Sequence, residues 1–127
     1  MTTISTALTE LGVTEWVLRG EPTTEAEFGT MFAKVTGADA NGTAIESQDP
    51  ADWGTTWAAV VAKRDELIAA EPMKELRAER DRLIAATDWW AGSDRTMTAE
   101  QTAYRQALRD ITASATSLDD VTWPTKP

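Results

Sequence analysis

The chain has 127 residues, with 12 basic residues against 21 acidic ones, a formal charge of −9, and neither cysteine nor histidine. That composition removes thiol nucleophiles, disulfides, the usual zinc ligands and the commonest general base near neutral pH. It also sets the chain against phosphate backbones and anionic membranes, so neither nucleic acid nor membrane is expected as a partner.

Ile4, Ala7, Leu8 and Leu11 are spaced as one helical face, and Gly12 stops it. Glu15-Trp16-Val17-Leu18-Arg19, aromatic and β-branched and followed by Gly20, predicts a strand. Thr24, with Glu27 three residues on, predicts a capping box. The helix it opens carries Phe28, Met31, Phe32 and Val35 as its apolar stripe and is expected to end at Gly37. Asp39-Ala40-Asn41-Gly42 reads as a turn. Thr43-Ala44-Ile45-Glu46 reads as a second short strand, expected to pair with the one at Trp16.

Asp49-Pro50-Ala51-Asp52 combines a capping aspartate, a proline at the first helical position and an acid in the first turn. The helix expected there presents Trp53, Trp57, Val60, Val61, Arg64, Leu67 and Ile68 on one face. At Pro72 it either kinks or gives way to a new helix; the fresh stripe from Met73 and Leu76 favours a break. Beyond it, Arg77, Arg80 and Arg82 interleave with Glu75, Glu79 and Asp81, charges that pair mostly with one another along a helix. Gly92-Ser93-Asp94 is a loop, and Thr98 with Gln101 predicts a capping box for a last helix whose inner face is Tyr104, Ala107, Leu108 and Ile111. Residues 121–127 contain two prolines and are expected to be extended.

The fold expected is mainly α with a small N-terminal α+β portion, closing on a C-terminal helical hairpin and an extended Trp-Pro tail. Its divisions are an α+β segment over 1–48, an amphipathic helix over 49–71, and the hairpin with its tail over 72–127. Residues 2–11 lack the basic start and apolar run of a signal peptide, and Trp57-Ala58-Ala59-Val60-Val61-Ala62 is too short to span a bilayer.

Little in the sequence points to catalysis. Asp49 with Asp52 is accounted for by helix capping and Asp119-Asp120 by a turn, and Asp88 with Asp94 lacks the setting a catalytic pair needs. Phosphate-binding glycine loops and calcium-loop spacing do not occur. No enzyme activity, cofactor or metal is expected. The six tryptophans are the remaining oddity. Trp16, Trp53 and Trp57 read as core. Trp89 and Trp90 are adjacent and cannot share one face, so one should be buried and the other near the surface. Trp123 must dock, either on its own helices or on a partner.

The order of elements from Leu76 onward carries a likeness. Leu76-Arg77, Arg80-Asp81 and Leu83 are followed by Asp88-Trp89-Trp90, then Tyr104-Arg105, Leu108-Arg109-Asp110, and finally Val121-Thr122-Trp123-Pro124. Over about residues 76–127 this resembles the bacteriophage tail-fibre assembly chaperone family. The resemblance implies a protein that binds a phage tail-fibre protein and assists its folding, trimerisation or attachment, in the host cytoplasm during assembly. The alternative is a structural virion component, an accessory or adaptor subunit of the tail fibre or baseplate, located in the virion tail. Either reading admits a homo-oligomer or assembly with a trimeric fibre. The partner-binding candidates are Trp89, Trp90, Tyr104, Arg105, Arg109, Trp123 and Pro124. Arg105, Arg109 and Asp110 read equally well as charges that lock the hairpin.

Overall fold

The computed structural model describes residues 2–127. The chain divides into two compact units, Met1–Ala69 and Ala70–Pro127. It is mainly helical, with a small three-stranded antiparallel sheet near the N-terminus.

The N-terminal unit starts with α1 (Ile4–Glu10), whose first turn is closed by a reciprocal capping box between Thr3 and Thr6. Ile4, Ala7 and Leu8 are buried along it, and Gly12 leaves the helix at φ +76°, a conformation that favours glycine. β1 (Trp16–Leu18) follows, then α2 (Glu25–Met31). The Thr24 hydroxyl caps α2 by accepting from the Glu27 N–H at 3.1 Å. The expected reciprocal bond is replaced, because the Glu27 carboxylate takes the Thr23 hydroxyl at 2.8 Å instead.

Two expectations are corrected here. The helix does not run to Gly37; it ends at Met31, and β2 (Phe32–Ala38) begins at once. The strand at Ala44 does not pair with β1. β3 (Ala44–Ser47) pairs with β2, which lies between the two in the order β1-β2-β3. The cause of both is one ambiguity. Phe28, Met31, Phe32 and Val35 fit a helical stripe, but partners on both sides pair the backbone of residues 32–38 into a ladder, and tertiary pairing outweighs local spacing. Gly37 sits beside a register shift between Val35 and Gly37, where Thr36 is the extra residue.

The turn at Asp39 forms as expected, its carboxylate accepting from the N–H groups of Asn41 and Thr43 at 2.8 and 3.0 Å. Asp49 caps only a short 3-10 turn, Pro50–Asp52. Gly54 at φ +72° then redirects the chain, and α3 (Trp57–Ala85) starts afresh under the Thr56 hydroxyl. Trp53 therefore enters the core from outside the helix rather than along its stripe. The core packs Ile4, Ala7, Leu8, Phe28, Phe32, Trp53 and Val60, flanked by Val13, Trp16, Leu18 and Trp57. Phe28 is its centre, stacked on Phe32 at 4.7 Å and edge-on to Trp53 at 5.1 Å.

The break favoured at Pro72 does not occur, since α3 passes through it. Proline there forfeits the bond to the Ile68 carbonyl, costing about 3 kcal/mol relative to alanine. The run Glu66-Leu67-Ile68-Ala69-Ala70-Glu71 and Met73-Lys74-Glu75-Leu76-Arg77-Ala78-Glu79 consists almost wholly of good helix formers, and Pro72 and Ile68 are exposed, so water can satisfy the orphan carbonyl. Of the charges beyond it, Arg80 pairs with its neighbour Asp81 at 2.7 Å rather than at helical spacing, and Arg82 pairs with Glu79, three residues away as expected, at 2.6 Å. That contact holds the Glu79 carboxyl below its ordinary range, mainly through the Arg82 hydrogen bond.

Candidate functional site in the C-terminal unit

In the C-terminal unit α3 stops at Ala85, and a 3-10 turn, Asp88–Ala91, carries both adjacent tryptophans. Successive residues of such a turn project about a third of a circle apart, so the pair must diverge. Trp90 is 3% exposed and packs with Tyr104 and Leu108, flanked by Leu83, Ile84, Met97 and Trp123. Trp89 is 55% exposed. Its indole meets Trp90 edge-on at 6.1 Å, and the Arg95 guanidinium lies 4.6 Å from the ring centroid. The expectation of one buried and one exposed indole is met.

α4 (Ala99–Arg109) is opened by the predicted box, Thr98 accepting from the Gln101 N–H at 3.1 Å and Gln101 accepting from the Thr98 N–H at 3.0 Å. Tyr104, Leu108 and the following Ile111 are buried on its inner face, and so is Arg105, at 6% exposure. Arg105 ties α4 to the end of α3. Its Nη1 donates to the Ile84 carbonyl at 3.1 Å and to Thr87 Oγ1 at 2.8 Å, and Nη2 donates to Asp88 Oδ1 at 2.9 Å. Thr87 is itself buried and donates to the same Ile84 carbonyl. A guanidinium suits this place because its fork serves three acceptors at once, which an ammonium on a flexible stem does less well. Asp88 is largely exposed, so the ion pair is screened and the two inner bonds carry most of the stabilisation.

The chain leaves α4 through a 3-10 turn, Ile111–Ala113, and then folds around Asp120. The Asp120 carboxylate accepts from the N–H and hydroxyl of Thr116 and the N–H of Ser117, at 2.8–3.1 Å. Those donors, the Ser117 N–H foremost, lower its pKa. Residues 121–127 form neither helix nor strand. Trp123 is half-buried against the Trp90–Tyr104–Leu108 cluster, and the Lys126 ammonium stands 5.7 Å from the Trp90 ring centroid. Between tail and helix lies an open groove of about 430 Å³ lined by Glu100, Ala103, Tyr104, Ala107, Pro124 and Pro127.

Residues 73–127 match the phage tail assembly chaperone protein family. The family resemblance noted over residues 76–127 is thereby supported, and the match begins at Met73 rather than Leu76. It lies wholly within the C-terminal unit and leaves the N-terminal unit unmatched. No curated protein and no solved structure gives a significant match.

Within the matched stretch the candidate residues separate by burial. Trp90, Tyr104 and Arg105 are buried in the unit itself, Trp123 and Pro124 are half-buried, and Trp89 and Arg109 are exposed. Sequence reasoning did not single out Arg95, Thr87 or Lys126. Arg95 lies in a loop without periodicity, and nothing in its spacing indicates that it covers Trp89. Among the described residues no group of three or more Asp or Glu is arranged to hold a metal, and no helix is long and apolar enough to cross a membrane.

Proposed function

We propose that this chain binds a phage tail-fibre polypeptide and assists its folding, trimerisation or attachment. The surface assigned to that task is centred on Trp89, with Arg95 over its ring. The observation that carries this reading is the 55% exposure of Trp89 in a family-matched unit that buries its other large aromatic residues wholly or in part. Tryptophan and arginine are both among the residues enriched at binding hot spots. Fibre subunits that end as β-structured trimers present apolar surface and open strand edges before assembly, and a compact binder with an aromatic anchor can cover them. Trp90, Tyr104 and Arg105 then support the surface from inside, and Trp123 packs on the same Trp90–Tyr104–Leu108 cluster. Chemistry on a substrate has no place in this account.

Co-expression with the tail-fibre polypeptide of the same phage tests it. The expected result is co-purification and a rise in soluble fibre trimer. Fibre that folds to the same yield alone, without co-purification, contradicts the proposal. Mass spectrometry of purified particles then separates an assembly factor from a structural subunit, because only the latter is retained in stoichiometric amount.

A further inference from the structure

The N-terminal unit contains an open slot of about 230 Å³ lined by Glu25 and Gly29 of α2, by Pro50, and by Trp53, Thr56 and Trp57. Its volume is below the roughly 300–1,000 Å³ of pockets that hold cofactors and drug-sized ligands, and suits a single side chain. Gly29 lies inside a helix, where glycine weakens the element relative to alanine, and its φ is not positive, so the backbone does not require it. A Cβ built there meets no atom within 4 Å. A longer side chain at this position would extend into the open space beside the slot.

The sign of the occupant follows from charge. Glu25 is the only charged residue on the lining. Residues 1–69 hold eleven acidic side chains against four basic ones. Three of those four are paired, Arg19 with Glu46, Lys63 with Glu66 and Arg64 with Asp65, and Lys34 donates to the Thr14 carbonyl. The N-termini of α2 and α3 border the slot and by themselves would favour an anion. Their capping positions are already taken, by the hydroxyls of Thr24 and Thr56, and Glu25 adds a full negative charge in the first turn of α2.

We propose that this slot receives a lysine or arginine side chain of a partner polypeptide. The aliphatic stem packs on the indoles of Trp53 and Trp57, and the cationic head points toward Glu25. The site lies wholly outside residues 73–127, so it stands apart from the reading of the C-terminal unit.

The test is a titration of the ¹⁵N-labelled full chain, following the indole N–H resonances of Trp53 and Trp57. The probes are N-acetyl-lysine amide, N-acetyl-arginine amide and N-acetyl-norleucine amide. Saturable shifts with a basic probe at roughly millimolar concentration are expected, as for a single anchoring side chain. Norleucine should produce no saturable shift, Glu25→Gln should weaken the basic probes roughly fivefold, and Gly29→Leu should abolish their binding. An equal response to norleucine, an unchanged affinity in Glu25→Gln, or no saturable shift with any probe would overturn the proposal. Glu25→Gln alters an exposed side chain, so it keeps the test decisive even where Gly29→Leu perturbs the fold.

Discussion

The two units reach order by different means. Met1–Ala69 surrounds Phe28 with Phe32, Trp53 and Trp57, all at ring separations near 5 Å, and covers this aromatic centre with α1 and the sheet. Ala70–Pro127 has a smaller cluster, Trp90 with Tyr104 and Leu108, and adds a buried guanidinium at the turn between its helices. Charge divides them too: eleven acids against four bases in residues 1–69, ten against eight in residues 70–127. Apolar burial dominates the first unit, whereas the second adds a polar tie at the turn that carries Trp89.

That contrast can be broken most forcefully at Phe28. Phe28→Ala should destabilise the N-terminal unit by about 3–5 kcal/mol, the usual loss for a fully buried phenylalanine. Indole resonances of Trp16, Trp53 and Trp57 followed through a denaturant series would measure it, and a loss shared equally by Trp90 would show that the units do not differ as described. Next comes Arg105→Ala, expected to cost the C-terminal unit about 2–3 kcal/mol through the lost charge-assisted bonds. Arg105→Lys should recover only part of this, and Asp88→Asn should cost less than about 1 kcal/mol because Asp88 is largely exposed.

Pro72→Ala should act in the opposite direction. Restoring the bond to Ile68 gains up to about 3 kcal/mol, offset by the greater freedom of the unfolded chain, so a net stabilisation of roughly 2 kcal/mol is expected. Amide exchange at residue 72 and its neighbours would report it, and no gain in protection would argue that α3 is interrupted there. The smallest effect concerns Asp120. Its folded pKa is lowered, so its contribution is present above the unfolded value near 3.8 and is lost as pH falls through the lowered folded value. An acid titration should show the Thr116 and Ser117 amide resonances moving only below the ordinary aspartate range, and Asp120→Asn should remove that step.

Local signals were legible in the sequence wherever partners lie within four residues. The caps at Thr24 and Thr98, the turn at Asp39 and the opposed burial of Trp89 and Trp90 all depend on near neighbours. β2 was not legible, because Phe28, Met31, Phe32 and Val35 satisfy the helical spacing and only pairing with both β1 and β3 decides against it. The burial of Arg105 was hidden for the same kind of reason, its acceptors being Ile84, Thr87 and Asp88, 17 to 21 residues away. Trp53 fits a helical stripe with Trp57, and the positive φ of Gly54 that separates them leaves no periodic trace. Of the candidate site, the family order of residues and the opposed burial of the two adjacent tryptophans were readable, but which of Trp89 and Trp90 is the exposed one was not.

The most direct test of the account is the affinity of the tail-fibre polypeptide for the intact chain and for Trp89→Ala, measured by titration calorimetry with the fold checked by the Trp90 indole resonance. Loss of a hot-spot tryptophan should cost about 2 kcal/mol or more, a weakening of roughly 30-fold, with the Trp90 resonance unmoved by more than the loss of its neighbour's ring requires. Equal affinities for the two proteins would contradict the assignment of Trp89 as the anchor.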